Sequence, residues 1–170
     1  LMHPHSQIVS FNLIPAEIVK EIKIARSHMD HHNSNLYDYI IESELAHQKR
    51  VVYDGKSFLV FIPHATRYNG EIRIICKDDK KIDQWGLDEI EEISYIYKRL
   101  FEKWEDYNVE QIAFNVVIHT YPLNGDYDDL FRTHFHIIPR KFNFGGFELS
   151  TDLFVCGTDP EDLAEFLRFD

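Results

Sequence analysis

The sequence predicts an α+β fold in which helices pack on an antiparallel sheet, and three observations carry that prediction. Residues 50–53 and 57–62 are β-rich runs joined by Asp54-Gly55, a dipeptide suited to tight hairpin turns. Residues 113–119 and 133–138 form a second such pair, separated by a segment containing Pro122, Asn124 and Gly125. Between the pairs, Ile90, Ile93, Tyr97, Leu100, Trp104 and Tyr107 recur at helical spacing, which predicts a helix over 87–107 that packs across the sheet. At 170 residues and 44% hydrophobic content, the chain can bury a real core.

The remaining elements follow in order. Residues 2–8 read as a strand whose alternation places His3, His5 and Gln7 on one face. Pro15 suits the first position of a helix, and Ile14, Ile18, Ile22 and Ala25 form its apolar stripe. A bend is expected over the polar residues 28–35, before Leu36, Ile40, Ile41 and Leu45 mark a second helix. A third strand is predicted over 71–76. Near the end, Asp159-Pro160-Glu161-Asp162 is a helix-start signal, followed by an apolar face of Leu163, Phe166 and Leu167.

Charge and composition narrow the function classes. A net charge of −11 with no Lys/Arg cluster argues against polymeric nucleic acid or an anionic membrane as partner, while leaving room for a local site for a small phosphate ligand. Cys76 and Cys156 are too few for a disulfide framework, and no apolar run approaches the roughly 18 residues of a membrane span. A cytoplasmic location is the expectation. No charged-then-apolar leader precedes the first motif, and a chain opening at Leu1 directly before that motif is expected to lack an N-terminal part.

Two groups of residues carry chemistry. In His3-Pro4-His5-Ser6-Gln7, a neutral imidazole can displace a good leaving group at phosphorus without the repulsion an anionic nucleophile meets. His5 is the candidate nucleophile, and the Gln7 amide can donate to a non-bridging oxygen as charge builds there. The same short pattern also fits two surface histidines or the remnant of a cloning tag. The second group is His119, which ends one predicted strand, with His134 and His136 on its hairpin partner; Glu21 could complete four-coordination. Such a donor set suits zinc or ferrous iron, and a site filled by four protein ligands is structural, because a catalytic metal needs an open position. By spacing alone, Glu21 reads more readily as a solvated helix carboxylate than as a ligand.

The run His3-Pro4-His5-Ser6-Gln7-Ile8, followed by Pro15, Glu17 and Glu21, resembles the active-site segment of the galactose-1-phosphate uridylyltransferases, within the histidine-triad superfamily. The resemblance continues through residues 36–46, His119, His134-Phe135-His136, Arg140-Lys141-Phe142, Gly146-Phe147-Glu148 and Asp159-Pro160-Glu161. It implies a histidine-triad-like antiparallel half-barrel sheet packed by helices. Residues 1–45 would be the tail of a first repeat with connecting helices, and residues 46–170 a second repeat.

The resemblance also implies a nucleotidylyltransferase that moves a nucleoside monophosphate between a nucleoside-diphosphate sugar and a sugar 1-phosphate. The intermediate would be covalent, on His5, with Gln7 positioning the phosphoryl group. His3 would be one ligand of a zinc site, and Glu21, His119, His134 and His136 the ligands of a second metal, zinc or iron, with no organic cofactor. Lys141, Phe142 and Glu148 would bind substrate, in a segment lying near the active site of a neighbouring subunit of a homodimer. Two departures bear on substrate. Ser6 stands where typical uridylyltransferases have Gly, a form that resembles relatives acting on ADP-glucose by phosphorolysis, and no Gln follows Gln111, so a second hexose-contacting position has lost its amide. The alternatives are therefore a phosphorylase of an ADP-sugar or a dinucleoside polyphosphate, and a non-catalytic, metal-stabilised binding or assembly module.

Overall fold

Strands β1 (Val51–Asp54), β2 (Phe58–Phe61), β3 (Ile72–Cys76), β4 (Phe114–His119) and β5 (His134–Pro139) make one open antiparallel sheet. Their order is β1-β2-β3-β5-β4. The helices are α1 (Ala16–His32), α2 (Leu36–His47), α3 (Leu87–Tyr107), α4 (Gly146–Thr151) and α5 (Pro160–Leu167). The structure is a computed structural model and describes residues 5–10, 12–107, 113–140 and 144–170.

Strand alternation divides the core between the two faces of the sheet. Phe58 and Val60 of β2, Ile72, Ile74 and Cys76 of β3, and Phe135 and Ile137 of β5 pack with Ile93, Ile96 and Leu100 of α3 and Leu163, Ala164 and Leu167 of α5. The intervening residues Leu59, Phe61 and Ile75 pack with Ile18, Ile22 and Ala25 of α1 and Tyr37 and Ile41 of α2. Burying each large apolar side chain contributes about 1.5–3 kcal/mol, so neither helical layer is dispensable. His134 and His136 alternate with Phe135 and Ile137 and so face the α1 side.

Helix boundaries follow from their caps. Asn35 begins α2 by accepting from the Tyr37 and Asp38 amides, at 2.8 and 3.4 Å. Asp159 does the same for α5 with the amides of Glu161 and Asp162, and Pro160 stands at the first helical position. Asn33, in the left-handed region at φ 52°, ends α1, and its amide donates to the Met29 carbonyl.

Several expectations need correction. Residues 5–10 have no regular secondary structure and are exposed, because a strand requires a ladder partner and none runs beside them among the described residues. Helix α1 continues through His32, so the bend is confined to residues 33–35; Pro15 is the residue before the helix, not its first. On α3 the buried stripe is Ile93, Ile96 and Leu100 with Glu89, and Ile90 lies half exposed. Gly55 is not in the positive-φ region; its lack of a side chain matters because a Cβ there would collide with the Glu92 carboxylate and the Tyr53 ring. The short helix α4 was not anticipated. No helix is long and apolar enough to cross a membrane among the described residues.

Candidate functional site

The β4–β5 pairing sets the site. His119 lies directly opposite His134, and His136 lies two residues further along the same face of β5. The ring centroids are 5.0 Å apart for His119 and His134, 4.7 Å for His119 and His136, and 5.2 Å for His134 and His136. Helix α1 crosses above them. Its apolar stripe of Ile18, Ile22 and Ala25 points into the core, and Glu21, on the same side of the helix, is carried over the imidazoles. One ligand atom from each of Glu21, His119, His134 and His136 falls within 4.8 Å of all the others.

The proton bookkeeping is informative. His134 Nδ1 lies 2.8 Å from the Arg132 carbonyl, which can only accept, so Nδ1 carries a proton. His134 Nε2 lies 3.5 Å from a Glu21 oxygen, a contact that needs either a proton or a cation between the two atoms. His136 Nδ1 likewise donates to Glu71 at 2.8 Å, and its buried Nε2 has no hydrogen-bond partner. His119 Nδ1 approaches both Glu21 oxygens, at 3.0 and 3.2 Å. The residues therefore fit a borderline divalent ion such as zinc or ferrous iron, with nitrogen and oxygen donors and one orphaned lone pair ready for it.

Electrostatics agree. Burial alone would raise the Glu21 carboxyl, but its hydrogen bonds with His119 and His134 hold it well below the usual carboxylate range. Burial pushes His136 below the usual histidine value despite the opposing bond to Glu71, which favours a neutral imidazole able to ligate. Burial would likewise raise Glu71, yet His136 and Arg73 together bring it down, so this carboxylate is ionised. Tyr37, whose ring centroid is 5.3 Å from that of His134, is held protonated by burial and by the nearby Glu21 charge.

The four residues predicted as one metal site are thus brought together. His5 and Gln7 are exposed in the irregular segment 5–10, without the common strand face expected of them. Glu148 lies in the first turn of α4, where its carboxylate accepts from the Gly145 amide at 2.9 Å. His3, Lys141 and Phe142 lie outside the described residues. Sequence reasoning missed Glu71 and Arg73, which meet His136 only through the pairing of β3 with β5; Arg73 stands opposite His136 in that ladder. A lone Gly70-Glu71 at a strand start gives no sign of this.

No protein-family model matches the chain. It is 28% identical over 137 residues to the galactose-1-phosphate uridylyltransferase of Saccharomyces cerevisiae, a match covering 80% of this chain and 37% of that protein. It is 25% identical over 172 residues to an ADP-glucose phosphorylase of Arabidopsis thaliana, covering 99% and 47%. Among solved structures, a uridylyltransferase mutant superposes with a TM-score of 0.80 at 22% identity, over 91% of this chain and 52% of that one. A zinc-bound histidine triad family protein from Mycobacterium smegmatis gives 0.51 at 16% identity, over 79% and 91%. The chain spans half or less of the length of these two curated relatives. In sequence it is galactose-1-phosphate uridylyltransferase-like, and its fold is the histidine-triad-like α+β architecture.

Proposed function

We propose that the chain is part of a nucleotidylyltransferase acting on a nucleoside-diphosphate sugar, with His5 as nucleophile. The similarity to uridylyltransferases is the observation that supports this most directly. In the first half-reaction an imidazole nitrogen of His5 bonds to the α-phosphorus, the bond from that phosphorus to the bridging oxygen breaks, and sugar 1-phosphate leaves. In the second, an oxygen of the acceptor sugar 1-phosphate attacks the same phosphorus and the nitrogen–phosphorus bond breaks. Gln7 donates its amide to the charge on the non-bridging oxygens. Lys141, Phe142 and Glu148 contact substrate, and a homodimer brings that segment to a neighbour's site. Residues 1–45 are the tail of a first histidine-triad-like repeat with its connecting helices, residues 46–170 are a second repeat, and the protein works in the cytoplasm.

In this reading Glu21, His119, His134 and His136 hold a zinc or iron ion whose four places are filled by protein, and His3 contributes to another site. Such an ion supplies rigidity between α1 and the β4–β5 hairpin rather than chemistry on substrate. A phosphorylase, with inorganic phosphate as acceptor, is the second reading, favoured by the match to an ADP-glucose phosphorylase over nearly the whole chain.

Incubation with UDP-glucose or ADP-glucose labelled at the α-phosphate, then a quench at high pH where phosphoramidates survive, should leave label on His5. Label undiminished in His5→Ala rejects the assignment. The Gln7→Ala variant should transfer about 10²-fold more slowly. Comparing sugar phosphate with inorganic phosphate as the species that discharges the label separates the two readings.

A further inference from the structure

Glu71 is 1% exposed, is not one of the four clustered ligands, and has no part in the chemistry proposed above. An ionised carboxylate so deeply placed costs several kcal/mol unless its partners compensate. Two do, and both converge on one oxygen. His136 Nδ1 lies 2.8 Å from Glu71 Oε1, and Arg73 Nε lies 3.2 Å from the same atom. Strand pairing enforces the triangle, since Arg73 and His136 are directly opposed across the β3–β5 ladder and Glu71 immediately precedes β3.

Glu71 Oε1 already accepts from Arg73 Nε, so toward His136 it is an acceptor as well, and it selects the tautomer with hydrogen on Nδ1. The other nitrogen then carries a lone pair, and it is this Nε2 that is buried without a partner. His134 is arranged in the same way, with the Arg132 carbonyl in place of a carboxylate. Two successive inward-facing imidazoles of β5 thus both carry hydrogen on Nδ1, held by different acceptors, one backbone and one side chain.

We propose that Glu71 is a positioning residue for a divalent cation at the cluster, acting through His136 by fixing its Nδ1–H tautomer and ring orientation so that Nε2 ligates. The inference rests on the metal site described above. Arg73 is the counter-charge that keeps the carboxylate an acceptor. Hydrogen-bonded partners of this kind raise the basicity of a ligating imidazole, and losing one typically weakens metal binding about 10–100-fold.

The test uses the metal-free 170-residue chain and cobalt(II) as probe. Long-range nitrogen–proton correlation spectra should show His136 protonated on Nδ1 in the parent chain. In Glu71→Met, which keeps the volume and removes the acceptor, that tautomer should be depleted and cobalt affinity should fall about 10–100-fold at about one ion per chain. Glu71→Gln retains an acceptor oxygen and should recover most of both. A parent chain with His136 protonated on Nε2 overturns the proposal without recourse to any variant, which covers the case in which Glu71→Met does not fold. Parent-level cobalt affinity in a folded Glu71→Met overturns it as well. A parent chain that binds no cobalt removes the metal site itself, and with it the role assigned to Glu71, whatever tautomer His136 adopts.

Discussion

The histidines of the α1–β4–β5 cluster and the histidine at position 5 are the same side chain in opposite settings. His134 and His136 are 2% and 9% exposed, each with its Nδ1 committed to a defined acceptor and with ring neighbours on several sides. His5 is exposed in an irregular segment. In the first case the sheet has already fixed rotamer, tautomer and direction, so the chemistry is available as soon as an ion arrives. In the second the fold of the described residues supplies only the functional group, and its orientation depends on what binds it. Preorganisation belongs to the surroundings rather than to the residue type.

That contrast is open to direct challenge. The largest effect is expected from His134→Ala. Elemental analysis of the parent chain should find about one zinc or iron, and adding metal at about 1,000 times its dissociation constant should stabilise the fold by about 4 kcal/mol. In His134→Ala both the ion and the metal-dependent rise in melting temperature should vanish. Retention of stoichiometric metal by this variant would place the ion elsewhere and dissolve the contrast.

A smaller loss is expected at Asn35. Its side chain caps α2 and also donates to the Asp129 carbonyl at 2.8 Å, tying the start of that helix to the loop preceding β5. Asn35→Ala should lower unfolding free energy by about 1–2 kcal/mol in chemical denaturation. An unaltered midpoint would mean that the cluster's framework does not depend on this tie. The smallest effect belongs to His5→Ala, which should leave stability within about 0.5 kcal/mol and metal content unchanged while ending covalent labelling. A marked loss of stability there would show that the segment is held by the fold after all.

The difference in setting also explains what could be read in the amino-acid sequence. The helix over 87–107 and the two hairpins were legible because each has a local signature, helical spacing in one and paired β-runs with turn residues in the other. The Glu21, His119, His134 and His136 group was legible because three members lie on two consecutive strands, where pairing follows from the hairpin; for Glu21 the resemblance favoured what spacing alone weighed against. Residues 5–10 misled because alternation of side chains looks the same whether or not a neighbouring strand exists to make it a strand. Glu71 and Arg73 stayed hidden since their partner is more than sixty positions away and is reached only when β3 and β5 become neighbours. Stepwise reading along the chain cannot supply a contact that depends on the order of strands.

The alternation of β5 has one more consequence, for assembly of the sheet. The side chains of Phe58, Leu59, Val60 and Phe61 in β2 are all buried, so sliding that strand by one place trades one apolar set for another at modest cost. In β5 the same slip would thrust His134 and His136 into the oily layer beneath α3 and lift Phe135 and Ile137 toward Glu21. The two imidazoles thereby act as a ruler that tells a folding chain which of two near-equivalent alignments is right. A chain with aliphatic residues at both positions would gain hydrophobicity and lose the means of rejecting the misaligned sheet.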